Sequence, residues 1–515
     1  MLTVTDTRLI VGLEIHVELA TRSKMFTRAP SPAHPQHYEA DPNTLIDPVV
    51  LGLPGALPVM NRRAVEMSML VGLALGCRIA PLTRWDRKSY FYPDLPKNYQ
   101  LSQYDLPICF DGAADFPVAD ASGAERTARV AIIRAHLEED AGKLLHEAPG
   151  GARIDFSIAD YNRAGTPLLE IVTAPDFTSA DQVVAFAQWL RGVCRFLGVT
   201  EGVMQRGHMR FEPNINCALT LSDGREITTP IVEVKNLNSF KSLRGAIEYE
   251  LREQPRRFLE DGRIMGRGAK ATRGWDDTTQ TTFLQREKED AHDYRYFPDP
   301  DLPTLTIDDS WIARLRDELP ELPAARAARY REEFSLGPKE AAALVEERAI
   351  CTLFEESTDQ ACRTLGAADP VTRSKAGRLA ANLILQSGFK RANERGVLAS
   401  QLGITPAQLG GIVALRERGE ISAAGADELF GELCTSDQAA PDAAARLNLL
   451  QVRDQTALVA WCNDAIAAAG KAADDVRAGK LQALGRIIGD VMKRSGGKAD
   501  AAAVREALLK LLGQS

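Results

Sequence analysis

Apolar and polar residues alternate almost without exception through "VGLEIHVEL" (11–19). Leu13, Ile15, Val17 and Leu19 fall on one side of an extended chain, and Glu14, His16 and Glu18 on the other. A period of two predicts a half-buried strand. The same pattern recurs in "ARVAIIRAHLEED", "ARIDFSIADY", "PLLEIVTAP", "MRFEPNINCALTL" and "PIVEVKNL". Between them the period lengthens. Val183, Ala187, Leu190, Cys194 and Leu197 predict one helix; Phe240, Leu243, Ile247 and Leu251, with Ser239 as N-cap, predict a second. After the proline cluster "FPDPDLP" (297–303) the chain reads as helix after helix, rich in Ala, Leu, Glu and Arg. "QAAPDA" (438–443) is expected as a linker between two helical modules, and "VREALLKLL" puts Val504, Leu508, Leu511 and Leu512 on one helix face. The fold class is α+β: a mixed, largely antiparallel N-terminal domain followed by all-α segments.

A chain of 515 residues exceeds one ordinary core, so two to four domains are expected. No apolar run approaches the roughly 20 residues that cross a bilayer, so no membrane association is expected. The opening decapeptide lacks the basic and apolar regions of a secretory signal, which points to the cytoplasm. Eight scattered cysteines without C-x-x-C spacing read as buried thiols of a reducing compartment. The net charge of −8 argues against nucleic-acid binding by the whole surface. The stretch from Asp475 onward, with eight Lys or Arg against four Asp or Glu, is locally basic.

Candidate chemistry gathers in four places. Glu14, His16 and Glu18 are either the solvated face of an edge strand or part of a site for a hard divalent cation, completed by acids from elsewhere. Glu138, Glu139 and Asp140 are either an exposed turn or carboxylates that need a cation between them. Glu170 in "PLLEIV" and Glu233 in "PIVEVKNL" sit inside apolar strands, where a carboxylate needs a partner. "RWDRKSYFYPDLPKNYQLSQYD" (84–105) mixes aromatic and basic residues and reads either as an ordered surface loop or as a grip for a nucleotide or an RNA end. There is no P-loop, no G-x-S-x-G elbow and no Ser-x-x-Lys pair, and "GRGAKATRG" (266–274) reads as a flexible loop.

Together these segments resemble the B-subunit family of the aspartyl/glutamyl-tRNA amidotransferases. The resemblance runs through "GLEIHVEL", "SKMF", "LGLPGALPVMN", "DRKSYFYPDLPKNYQLSQYD", "HLEEDAGK", "DYNRAGTPLLEIV", "EVKNLNSF", "EDAHDYRYFPDPDLP", "AANLIL" and "GDVMKRSGGKAD", over nearly the whole chain. It implies a cradle domain (1–305), a helical domain (306–438) and a YqeY-like helical tail (439–515) that meets the tRNA elbow. It implies a complex with two partners, a glutamine-hydrolysing amidase (the A subunit) and a small C subunit. The substrates would be Glu-tRNA(Gln), Asp-tRNA(Asn) or both, whose side-chain carboxylate is phosphorylated with ATP and Mg2+ before ammonia displaces the phosphate. The family's metal ligands fall on His16 and Glu139, with Glu14 and Glu170 alongside. Glu14, Lys88 and Glu233 fall on the kinase site, Lys88 and Glu233 also at the nucleotide.

The chain departs from many relatives at four positions where they carry zinc-binding cysteines. Here these are Thr27, Ala29, Asp47 and Val50, so no zinc is expected. "MRFEPNIN" also differs, with Glu212–Pro213 before the retained Asn214. The rival expectation is a non-catalytic tRNA-binding scaffold of the same complex. Glu139→Ala separates the two, because only the kinase reading expects phosphorylation to collapse while tRNA binding survives.

Overall fold

The computed structural model of the chain describes residues 2–119, 124–148, 151–266, 269–288, 294–451, 455–496, 499 and 501–513. It divides into two compact units, Met1–Leu322 and Pro323–Ser515.

The first unit is built on a sheet with 13 strands among the described residues. Its strands are β1 (Val4–Glu18), β2 (Asp86–Ser89), β3 (Tyr99–Ser102), β4 (Cys109–Ala119), β5 (Glu125–Glu139), β6 (Pro167–Thr173), β7 (Met209–Leu221), β8 (Val232–Lys235), β9 (Lys270–Asp276), β10 (Thr281–Lys288) and β11 (Phe297–Pro298), with two short outliers. The spatial order is β10-β9-β8-β7-β1-β6-β5-β3-β2-β11, and β4 lies along the outer length of β5. The pairing is antiparallel except between β8 and β9, which run parallel around a helical crossover. β1 is therefore central, between β6 and β7, and the edge-strand reading of Glu14, His16 and Glu18 is corrected. The stretch 266–274, expected as a loop, supplies β9 from Lys270 on; residues 267 and 268 lie outside the described residues.

One face of this sheet is apolar. Leu9, Val11, Leu13, Ile15 and Val17 of β1, with Leu19 just after it, join a single core with α1 (Arg62–Ala74), α2 (Ala180–Phe196) and α3 (Phe240–Asp261). All three helices begin on side-chain caps. Asn61 accepts from the Arg63 amide at 3.0 Å, Ser179 from Gln182 at 3.2 Å and Ser239 from Ser242 at 3.0 Å. The opposite face of the strands carries charge. A further helix, α4 (Asp309–Glu318), follows the proline cluster yet stays with this unit. Glu66 of α1 accepts from Trp311 Nε1 at 3.2 Å and from Arg314 Nη2 at 2.6 Å. The compact division consequently falls at 322/323, beyond the break expected at 305.

Among the described residues the regular elements of the second unit are all helices. Tyr330, Phe334 and Phe354 pack edge to face in its first part. Cys462, Val476, Ile487, Val491, Val504 and Leu508 belong to a separate core in the tail, where Leu512 is also buried but Leu511 is not. "QAAPDA" is not an extended linker: Ala440–Arg446 is a short helix with proline in its first turn, where the missing amide hydrogen costs nothing. All eight cysteines are free and buried. Among the described residues no helix is long and apolar enough to cross a membrane.

Candidate active site

Strand register assembles the polar face. His16 lies opposite Glu170 on one side and Arg210 on the other, and Glu170 lies opposite His136, giving a row His136–Glu170–His16–Arg210 across β5, β6, β1 and β7. One row along, Glu14 lies opposite Glu212. In the other direction Glu138 enters from β5. Side chains two apart on a strand share a face, so Arg134, His136 and Glu138 all point into the cradle while Glu139 points away from it.

His16 Nε2 stands 3.7 Å from Glu14 Oε1, 3.7 Å from Glu170 Oε2 and 3.9 Å from Glu138 Oε1, and its Nδ1 is 3.9 Å from Glu212 Oε1. His136 Nε2 is 3.7 Å from the same Glu170 oxygen, whose neighbour Oε1 is 3.9 Å from Arg134. These separations are too long for hydrogen bonds. They fall between the roughly 2.9 Å and 4.2 Å that separate adjacent and opposite oxygens around an octahedral ion with ~2.1 Å bonds. Glu14, His16 and Glu170 form one group of potential ligands, and His136, Glu138 and Glu170 a second. Carboxylate oxygens with one or two imidazoles suit Mg2+ or Mn2+. The Oε2 atom of Glu138 is buried without a hydrogen-bond partner, as an unfilled ligand would be.

The electrostatics match this crowding. Burial pulls the His16 pKa down, but the Glu170 and Glu212 carboxylates beside it raise it to about 9. Burial likewise opposes ionisation of Glu170, yet His136, His16 and Lys88 hold its carboxyl well below the usual range. Burial pushes His136 down to about 4 against the pull of Glu170, with Arg134 and Lys88 adding to the fall. Burial and Glu170 raise Glu138 to about 7.

Lys88 on β2 reaches the cradle. It lies 5.2 Å from the Tyr294 ring centre, and although burial disfavours its charge, Glu138, Tyr296 and Glu170 raise its pKa above the ordinary lysine value. Tyr296 stacks on Tyr104 at 4.8 Å. Of "EDAHDYRYFPDPDLP", residues 289–293 lie outside the described residues. Glu233 on β8 pairs with Lys235 at 2.8 Å and Lys270 at 3.4 Å, and Lys235 also reaches Glu212 at 2.5 Å. Glu233 is thus linked to His16 through Lys235 and Glu212.

Glu139 is not in the cluster. Its carboxylate sits on the opposite face of β5, where it pairs with Lys97 and accepts from the Leu101 amide at 3.1 Å. Glu138 stands where Glu139 was expected. Glu18 is also not solvated. It is buried beside Asp140, and burial and that neighbour raise it to about 8 despite Arg210 and Arg163. Asp140 itself binds Arg210 at 2.6 Å. Sequence reasoning missed His136 and Arg210; it had Glu138 only within the acidic run 138–140 and Glu212 only as a departure from relatives. The signal was present in "RAHLEED", where the period of two puts Glu138, and not Glu139, on the face of His136.

The positions expected to lack zinc lie together in a loop pocket. Thr27 donates to Asp47, whose other oxygen accepts from the Val50 amide at 2.9 Å. Ala29 and Val50 share a small apolar cluster with Ala164. Two hydrogen bonds to Asp47 and this apolar contact hold the corner.

Residues 9–313 match the GatB/GatE catalytic domain and residues 369–512 the GatB domain of the YqeY type. The B subunit of the aspartyl/glutamyl-tRNA(Asn/Gln) amidotransferase of Thermomicrobium roseum is 43% identical over 509 residues, covering 98% of each chain. The proteins of the same name from Rhodopirellula baltica and Herminiimonas arsenicoxydans are 39% and 41% identical, over 98% of this chain and 96% and 99% of theirs.

Proposed function

The chain belongs to the B-subunit family of the aspartyl/glutamyl-tRNA amidotransferases, and on that premise we propose that it activates the side-chain carboxylate of Glu-tRNA(Gln), Asp-tRNA(Asn) or both with ATP and passes it to ammonia. The ammonia comes from glutamine through an amidase partner (the A subunit), with a small C subunit completing a cytoplasmic complex. A carboxylate resists attack by ammonia because an oxide would have to leave; phosphorylation turns that oxygen into a leaving group. A divalent ion bound in the cradle would reduce the repulsion between nucleotide phosphates and substrate carboxylate.

The observation that carries this reading is the row His136–Glu170–His16, flanked by Glu14 and Glu138. Glu14, His16 and Glu170 would hold the ion, with Glu138 taking the part expected of Glu139. The Lys88 ammonium, near Glu138 and Glu170, is available to a phosphate oxygen. Glu233, with Lys235 and Lys270, lines the far side, where it orients two cations toward a nucleotide. The tail (439–515) and its basic stretch contribute tRNA contacts.

The test is transfer of the γ-phosphate of ATP to the misacylated tRNA by the purified complex carrying His16→Ala or Glu170→Gln. Transfer should fall at least 100-fold while tRNA binding in a filter assay changes less than threefold. Transfer at the wild-type rate in both variants would return the protein to the role of scaffold.

A further inference from the structure

Past His16 the polar face runs into a cavity of about 300 Å3. The end of β1 at Glu18, Tyr38 after the turn Pro35–His37, the base of the ribbon Lys143–Glu147 and Arg153–Asp160, and the stretch from Gln205 to His208 line it. Three of these residues hold a buried polar atom without a hydrogen-bond partner: Glu18 Oε1, the Tyr38 hydroxyl and His208 Nδ1. Glu18 is 5% exposed and His208 4%. The neighbouring acid is differently placed. Asp140 binds Arg210 at 2.6 Å and stands 3.6 Å from Arg163, which also donates to the carbonyls of Ala141 and Gly142. Glu18 has the Asp140 carboxyl beside it, and among the described residues no cationic side chain lies within ion-pair distance of it. The inner end of the cavity is therefore an acceptor open to a donor from outside. The rim has the opposite character: Lys143 is exposed, and Arg206 lies over the Tyr38 ring at 4.7 Å.

We propose that this cavity receives the aminoacyl end of the RNA substrate, and that Glu18, with the Tyr38 hydroxyl, binds its α-ammonium group. The inference rests on the proposed function and gives it a means of selecting substrates that the metal ligands do not supply.

Strand geometry sets the distance. Glu18 is one pleat beyond His16, about 7 Å along β1. In an aspartyl or glutamyl ester only two or three carbon–carbon bonds separate the side-chain carboxyl from the carbon that bears the α-ammonium. With that carboxylate at Glu14, His16 and Glu170, the ammonium reaches the level of Glu18. A single-stranded end entering over the rim brings its terminal phosphate to Lys143 and Arg206. An acetylated, formylated or peptidyl end carries a neutral amide in place of the ammonium. It leaves the Glu18 carboxylate buried without a counter-charge, and a site whose polar groups stay unpaired rejects such an analogue strongly. The metal ligands meet only the side-chain carboxylate and cannot make this distinction.

Phosphate transfer by the purified complex is compared for a misacylated tRNA with a free α-amino group and for the same tRNA acetylated there. Wild type should show a kcat/KM at least about 30-fold lower with the acetylated substrate. Glu18→Gln should lower kcat/KM for the free substrate at least about tenfold, mainly through KM, and change that for the acetylated one less than about threefold. Tyr38→Phe, which keeps the ring, should show a smaller loss of the same selective kind if Glu18→Gln folds poorly. Mn2+ affinity, read from the free-ion signal in electron paramagnetic resonance, should be unchanged in both variants. Equal use of the two substrates by wild type overturns the assignment and leaves the proposed function standing. So does an equal loss on both substrates in Glu18→Gln, or a loss of its Mn2+ affinity. Transfer to neither substrate by wild type overturns both.

Discussion

Glu138 and Glu139 are neighbours in the chain with opposite surroundings, so replacing each by glutamine separates metal binding from structural support. Glu139 pairs with Lys97, the two side chains being 4% and 11% exposed, and accepts from the Leu101 amide. Glu139→Gln leaves the Lys97 ammonium without its counter-charge. Breaking a buried pair costs about 3–5 kcal/mol, and the lower end applies here because Lys97 keeps some water. The rings of Phe26 and Tyr99, 5.9 Å and 5.3 Å away, also face that ammonium. With an unfolding entropy of about 2.1 cal/mol/K per residue over the Met1–Leu322 unit, a loss of about 3 kcal/mol lowers Tm by roughly 4 °C. Glu138→Gln breaks no hydrogen bond to Oε2, so the metal-free protein should stay within about 1 kcal/mol of wild type. With Mn2+ and the ATP analogue at about 100 times Kd, wild type should gain about 2.7 kcal/mol, again roughly 4 °C. Glu139→Gln should keep that gain from its lower starting point, whereas Glu138→Gln should lose most of it. Differential scanning calorimetry of the three proteins, each with and without ligand, reads both effects. A ligand-induced rise that survives in Glu138→Gln and disappears in Glu139→Gln would refute the assignment of faces and restore Glu139 as the ligand.

Other consequences can be checked separately. Burial, with Arg206 nearby, lowers His208 to about 4, so between pH 6.5 and 4 the unfolded chain holds a proton that the folded chain does not. Stability should fall by about 3 kcal/mol as pH drops through that window, and urea melts of His208→Gln should show a flatter profile. Glu250, fully buried, pairs with Arg257 and accepts from Thr282 at 2.6 Å and Gln254 at 3.2 Å, with Arg273 at 3.5 Å. Glu250→Ala strands two guanidinium groups and should cost about 3–5 kcal/mol in equilibrium unfolding without altering Mn2+ binding. Deleting residues 439–515 should weaken tRNA binding at least tenfold in a filter titration while ammonia release by the partner amidase continues unchanged.

Much of this was legible because strands carry their own bookkeeping of faces. The alternation in β1 fixed which residues would be buried against helices and which would meet in the cradle, and Ser239 announced its helix by capping chemistry. The failures share a cause. β1 could not be recognised as central, because edge and centre differ in what pairs on either side, which a strand's own residues do not record. Period two groups Glu138 with His136 and apart from Glu139, but which of these faces of β5 meets His16 was fixed only by the register with β6. Helix α4 follows a proline cluster that looked like a boundary, yet Leu315 packs into the core of the sheet unit and Glu66 bonds Trp311 and Arg314 across long range.

The cradle also explains why the missed residues were the polar ones. Apolar positions report their burial directly, since the hydrophobic effect is non-directional and a leucine needs only to be covered. A buried carboxylate or imidazole has to be accounted for by particular partners, and here those partners come from β5, β6, β1, β7 and β2, distant in sequence. Each cradle carboxylate would be a liability alone, because burial raises its pKa and favours the neutral acid. His16 near pKa 9 and the Lys88 ammonium keep Glu170 ionised, whereas Glu138, pushed to about 7, is balanced between its two forms. A divalent ion would supply counter-charge to these carboxylates, and the phosphates of a nucleotide would offset the charge that the ion brings. Cation and nucleotide should therefore bind with positive coupling, each tightening the other by the same factor, as thermodynamic linkage requires.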